Sequence, residues 1–423
     1  MTDVPRADPR HGCGSATAFM KGRAMPHKQP TSTSRTQFGK LPDQPTVTTP
    51  THRHAKAFLD AERARIATQP GLGVAGLLVV VPVALLFAFG LGGAEDSVVV
   101  LSPLVTFALP PLTVIAFWWE DWPGSSLRPK WSACVDTLLI AAAGIALAVA
   151  GQWVIGHVDA AGIFDPTPGP GHSPLYPASL PLGLTAFTAI LQLTLAFEGW
   201  PLKRLPRLAG GIAALTFSWA VALLVHYVAL EFPAPPGSGL FSRSGPFSRE
   251  HISVVLAVCG SWQVWLFIVW RGWPMNALRK RWLRIVVGNV LVLGGAALAY
   301  ALAYGAGGVE PPAILAAATS FSAAGVLVGM LFEGALRPYL SAAWERVATL
   351  AVTVAVGAGL CTGLLAYANT LAWSTSNAEA WVGHACINAL AFGVILHVAV
   401  CHRWPLDDKT SALRQSETPE QSP

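Results

Sequence analysis

Five histidines fall at the outer ends of apolar segments: His157, His172, His226, His251 and His384. Acidic residues lie near them in the chain, Asp159, Asp165, Glu231 and Glu250. Imidazole together with carboxylate suits Zn, Cu or Fe, so His157, His226, His251 and His384 form a candidate metal set. Paired across helices, His226 with His251 or His157 with His384 can instead hold a haem iron. The spacings H-x-x-x-H and H-E-x-x-H do not occur. The same histidines, beside Trp153, Trp262, Trp265 and Trp381, also read as an interfacial belt of amphipathic rings.

A second group of chemistry-bearing residues ends apolar segments on the opposite side. Glu120, Glu198, Arg271 and Glu333 each stand at a helix C-terminus. The helix dipole disfavours an anion there by about 0.3–1 kcal/mol, so the three glutamates need cationic partners. A chain of ion pairs through Arg271 would tie these helix ends together. Farther into the apolar segments, Gln152, Gln192, Gln263, Asn289 and Asn388 are placed to bridge helices, and Asp136 reads as a first-turn acid behind a Ser132 cap. No string of buried carboxylates suggests a proton relay. The six cysteines give neither C-x-x-C nor a disulfide framework. Gly71-Leu-Gly-Val-Ala-Gly76 imitates a dinucleotide loop but opens an apolar run instead of following a strand. Walker A, nucleophile-elbow and kinase signatures are absent, and nothing marks a particular cofactor.

These residues must be held by membrane helices. Of 423 residues, 53% are hydrophobic and 12% charged, with mean hydropathy +0.49, against about 25% charged in a soluble domain. The apolar residues gather into ten segments: 73–93, 98–119, 132–156, 178–199, 208–229, 251–270, 284–306, 311–332, 347–369 and 380–400. Each approaches the ~20 residues that cross ~30 Å of hydrocarbon. Lysine and arginine accumulate on the cytoplasmic side. Threading ten spans places all 28 of them there except Arg243 and Arg249. An all-α, polytopic bundle with both termini cytoplasmic in the plasma membrane is therefore expected, and the basic excess reports orientation instead of a nucleic-acid partner. The first span starts too late for a cleavable signal peptide. Residues 1–72 read as a disordered basic tail, residues 73–400 as the membrane domain and 401–423 as a short C-terminal tail.

An internal repeat accompanies the spans. Glu120-Asp-Trp-Pro123, Glu198-Gly-Trp-Pro201, Arg271-Gly-Trp-Pro274 and His402-Arg-Trp-Pro405 each end an even-numbered span, and Glu333-Gly-Ala-Leu-Arg-Pro338 is a degenerate copy. Proline halts the helix, tryptophan sits at the headgroups and basic residues fix the side. The unit holds two helices, so the fold expected is five parallel two-helix repeats in an array or ring, not the inverted repeats of many transporters. Gly325-x-x-x-Gly329 and Gly359-x-x-x-Gly363 offer close helix approach. Pro110-Pro111 should kink the second span.

Three functions fit this reading. The first is a plasma-membrane protein that transports or handles a small solute or lipid-like molecule in a bundle embedded in the lipid bilayer. The second is a metal- or haem-dependent redox enzyme using the outer histidines. The third is a scaffold or assembly subunit whose basic loops bind a partner.

Overall fold

The computed structural model describes residues 63, 65–167 and 175–406. Contacts divide the chain at Ala67/Thr68, and the helices below all belong to the second unit. Most of the basic N-terminal tail and His172 lie outside the described residues.

Among the described residues nine helices are long and apolar enough to cross a membrane. We number them with the shorter apolar helix in chain order: α1 Gly71–Phe89, α2 Ala94–Trp118, α3 Trp131–Ile155, α4 Leu180–Leu195, α5 Arg207–Val228, α6 Arg249–Val269, α7 Arg281–Ala306, α8 Pro311–Leu331, α9 Ala342–Ala368 and α10 Ala378–Val400. At 16 residues, α4 rises about 24 Å. It ends early because Glu198 and Gly199 take left-handed backbone, at φ +52° and +71°.

The even-numbered helices pack against one another in a closed cycle, α2 on α4, α4 on α6, α6 on α8, α8 on α10 and α10 on α2. Each odd-numbered helix leans on the outside: α3 on α2, α5 on α4, α7 on α6, α9 on α8 and α1 on α10. Burial follows this division, since 89% of the apolar window of α2 is inside the bundle but only 11% of that of α9. The outer faces expose Leu78, Leu86, Leu138, Leu224, Leu298 and Val354. Apolar surface on that scale is stable only against lipid or a partner.

The Trp-Pro motif builds one geometry repeatedly. Its first residue is left-handed in four copies, at φ +50° for Glu120, +52° for Glu198, +51° for Arg271 and +50° for His402. The peptide before its proline is cis at Pro123, Pro201, Pro274 and Pro405. The second residue's N–H reaches six residues back, Asp121 to Ile115 O at 2.9 Å, Gly199 to Leu193 O at 2.8 Å, Gly272 to Leu266 O at 2.8 Å and Arg403 to His397 O at 2.8 Å. A helix terminus closed this way satisfies carbonyls that would otherwise be bare in the lipid interface. The preceding turn widens to i→i−5 bonding over Val114–Trp118, Val264–Val269, Leu327–Leu331 and Leu396–Val400. In the degenerate copy Arg337–Pro338 is trans.

The second span runs through Pro103, Pro110 and Pro111 as one helix and widens to i→i−5 bonding just after them. Asp136 is not a first-turn acid: its helix starts at Pro129, and its carboxylate instead accepts from Gly124 N–H at 3.0 Å. Gly325 and Gly329 do lie against α6, at Val264 and Ile268, whereas Gly359 and Gly363 of α9 face open space. At the end opposite the Trp-Pro turns, β1 Leu230–Phe232, β2 Arg243–Ser244 and β3 Phe247–Ser248 form a small sheet of order β2-β1-β3. Glu95, at the start of α2, fastens the α9–α10 loop by accepting from Ser374 N–H at 2.8 Å and Ser376 N–H at 3.2 Å.

Candidate functional site

Four of the five seams of the inner ring carry hydrogen-bonded polar side chains well inside the bundle. Asn388 Nδ2 donates to Ser102 Oγ at 3.0 Å, and Thr106 Oγ1 to Asn388 Oδ1 at 3.3 Å, across α2–α10. Gln263 Nε2 donates to Gln192 Oε1 at 2.8 Å across α4–α6, and Gln192 Nε2 continues to Asn289 Oδ1 at 2.9 Å on α7. The Ser261 and Ser322 hydroxyls meet at 3.1 Å across α6–α8, and Ser320 meets Cys386 Sγ at 3.4 Å across α8–α10. Counted from the outer helix starts, these inner-helix residues stand eight to fourteen positions in, or about 12–21 Å at 1.5 Å per residue. The result is a belt of hydroxyls and amides near mid-membrane with no Asp, Glu, Lys or Arg in it. The Gln263 Oε1 is buried without a partner, a group that would hydrogen-bond an occupant. Span 10 is also wound with i→i−5 bonds from His384 to Ala391, a distortion frequent at functional sites.

The outer histidines occupy four different surroundings. His157 is exposed at the end of α3. His226 on α5 is buried, edge-on to Tyr227 at 5.4 Å, with neither ring nitrogen hydrogen-bonded. His251 meets Ser248 Oγ through Nδ1 at 2.7 Å and packs on Tyr304 at 5.1 Å. His384 lies at the α1–α10 contact with Nε2 3.0 Å from Phe87 O. Among the described residues no group of three or more His, Cys, Asp or Glu is placed to hold a metal ion. Cys361 and Cys386 are both free thiols.

At the other end, the first residues of three motif copies face the start of an outer helix, whereas His402 meets Asp121 of the first copy at 3.2 Å. Glu120 pairs with Arg207 of α5 at 3.8 Å, and Glu198 with Arg284 at 2.6 Å and Arg281 at 3.2 Å, both of α7. Arg271 pairs with Glu345 of α9 at 3.0 Å. The charges are exchanged in this last pair while its position is kept. Glu345 also faces Arg337 at 3.6 Å, and Glu333 lies close enough to act on Arg271 electrostatically. Burial and the Arg337 charge hold Arg271 below the usual guanidinium range, with Glu345 and Glu333 opposing them. Tryptophan indoles reinforce the same contacts, Trp119 donating to Leu208 O and Trp270 to Arg346 O, both at 3.3 Å.

Between α6, α8 and α9 this charged end opens into a cleft of about 260 Å³, walled by Val269, Leu327, Phe332, Val352 and Val356 with Arg271 and Glu345 at one end. Two residues upstream of the first motif residue, the first copy has Trp118 and the third has Val269; four upstream, the second copy has Thr194 and the fourth Gly329. Between α2 and α4 the Trp118 indole fills the corner and donates to Thr194 Oγ1 at 2.9 Å. Between α6 and α8 the corresponding positions hold Val269 and Gly329, and both line the cleft.

No family model, curated protein or solved structure matches this chain. The sequence pointed to Gln152, Gln192, Gln263, Asn289 and Asn388 as helix bridges. The last four do bridge helices, whereas Gln152 bonds the Asp159 backbone at 2.6 and 2.8 Å. The sequence missed the hydroxyl partners of Asn388, because serine and threonine inside an apolar run carry no signal of which helix they face. It also missed Glu345 as the partner of Arg271, 74 residues away.

Proposed function

We propose that this is a multi-pass plasma-membrane protein of five parallel two-helix repeats closed into a ring of ten spans, with the Trp-Pro ends and both termini cytoplasmic, and that it transports a small uncharged polar solute through the inner ring. The observation that carries this reading is the mid-membrane belt formed by Ser102, Thr106, Gln192, Gln263, Ser261, Ser320, Ser322 and Asn388. Polar groups at that depth are expensive to bury in lipid, so they mark pathways or helix contacts. Here they are concentrated on the five inner helices, where hydroxyls and amides match a neutral solute's own donors and acceptors. The outer histidines enter this reading as interface residues, since among the described residues no three His, Cys, Asp or Glu are grouped to hold a metal ion.

The reading is tested with purified protein in liposomes. Osmotic shrinkage followed by light scattering should be faster than in protein-free liposomes for at least one of glycerol, urea and water, with no added leak of sodium or chloride. Asn388→Leu should slow that flux while the protein stays folded. Unchanged shrinkage for all three would overturn solute passage. Orientation has its own check: reporter fusions near residue 240 should report outside and those near residue 280 inside.

A further inference from the structure

We propose that Tyr176 is a lid on the mouth of the inner ring at the end opposite the Trp-Pro turns, and that Glu95 holds it shut through the α9–α10 loop. The inference deepens the solute-passage reading: it rests on that reading for what crosses the ring and adds what closes one end of it.

Tyr176 stands four residues ahead of α4, and Ser376 stands two ahead of α10. Their hydroxyls meet at 3.0 Å. In the cycle of inner helices α4 and α10 are not neighbours, since each packs on α2. A bond between their starts therefore crosses either the end of α2 or the centre of the ring. Two observations decide for the centre. Tyr176 is only 6% exposed and belongs to the same buried apolar cluster as Val98 of α2, Ala316 of α8 and Trp381 and Val382 of α10. Glu95 at the start of α2 and Arg249 at the start of α6 both lie close enough to act on the Tyr176 hydroxyl electrostatically. One side chain near the starts of α2, α4, α6 and α10 sits over the middle of a five-helix ring, whereas a place on the rim faces only two adjacent starts.

Glu95 supplies the clasp. Its Oε1 accepts from Ser374 N–H at 2.8 Å, the Ser374 hydroxyl at 3.0 Å, Thr375 N–H and Ser376 N–H at 3.2 Å. Successive backbone N–H groups aimed at one spot form an anion-binding nest, filled here by the protein's own carboxylate. The loop is pinned on both sides of this stretch: Trp373 Nε1 donates to Ala368 O at 3.0 Å, and Asn377 Oδ1 accepts from Ala380 N–H at 2.8 Å. Releasing Glu95 therefore frees residues 374–376, and Tyr176 with them, while α9 and α10 stay in place. Ser374 and Thr375 are exposed, so water competes for these bonds and the clasp can open reversibly.

The test is thiol labelling of the full chain in nanodiscs. Val98 lies three residues beyond Glu95 and is fully buried. In a Val98→Cys protein, modification by a cationic methanethiosulfonate is followed by peptide mass spectrometry, which separates this site from the native cysteines. Val98→Cys alone should react slowly. Adding Glu95→Gln should speed the reaction about tenfold, the order of one charge-assisted hydrogen bond, and adding Tyr176→Ala should speed it more. Tyr176→Phe keeps the ring and removes the bond to Ser376; Ser376→Ala should match its smaller acceleration and add nothing to it, because both delete one bond. Rapid labelling of Val98→Cys alone, or unchanged labelling in the folded Glu95→Gln and Tyr176→Phe proteins, would overturn the lid. Those two variants keep the test open if Tyr176→Ala does not fold. Liposome shrinkage is read separately: labelling that responds to Glu95→Gln without solute flux keeps the lid and overturns solute passage, and flux with labelling unmoved does the reverse.

Discussion

Two corners of the ring share the Trp-Pro turn at one of their two helix ends and end differently. At α2–α4 the Trp118 indole is buried, hydrogen-bonded to Thr194 and crossed by the Lys203 ammonium at 5.8 Å from the ring centroid. At α6–α8 the matching positions hold Val269 and Gly329, and a cleft lies between them and α9. The backbone turn is the same at the ends of α2 and α6, with a left-handed first residue and a cis Trp–Pro peptide in both. The same turn at the ends of α2 and α6 therefore accompanies a packed corner in one place and a cleft in the other, where Val269, Gly329 and the degenerate loop's Gly334, Ala335 and Leu336 replace the bulkier residues.

The contrast is broken most directly by truncation. Trp118→Ala should cost about 3–5 kcal/mol, the range for a buried tryptophan, and Val269→Ala about 1–2 kcal/mol, because far fewer buried atoms are removed. Thermal unfolding in detergent compares the two, and equal losses would mean that the corners do not differ energetically. Exchanging the sign of the charged pair sharpens the comparison next. Arg271→Glu alone should lose about 3 kcal/mol by setting two carboxylates together in a largely buried place; adding Glu345→Arg should recover most of it, restoring the polarity of the Glu198–Arg284 pair.

Smaller effects rank the remaining ends. Glu198→Gln should lose about 2 kcal/mol, since its carboxylate serves two guanidiniums at 17% side-chain exposure. Glu120→Gln, 53% exposed and 3.8 Å from Arg207, should stay within about 0.5 kcal/mol. Smallest of all, Gly359→Ala should stabilise by up to about 1 kcal/mol, as alanine replaces glycine in a helix with open space beside it. Gly329→Ala should destabilise, because α6 leaves no room for a Cβ. The same unfolding measurement separates these four variants.

Hydropathy and charge alone determined that the chain is helical and membrane-embedded, and they located the segments closely, since each span is a single uninterrupted apolar run. The Trp-Pro repeat was equally legible, because proline, left-handed residues and interfacial tryptophan act within a few residues of one another. Which helices turn inward was not read from the sequence: the buried Ser, Thr, Gln and Asn of α2, α4, α6, α8 and α10 lie scattered within apolar runs, and no charged face distinguishes a lipid-facing helix from an enclosed one. Tertiary structure decided that division. It also decided the pairing of Arg271 with Glu345, the hydroxyl partners of Asn388 and Gln263, and the cleft beside Val269. Each depends on chain segments dozens of residues apart meeting across the ring, and their side-chain types say nothing about that meeting until the helices are packed.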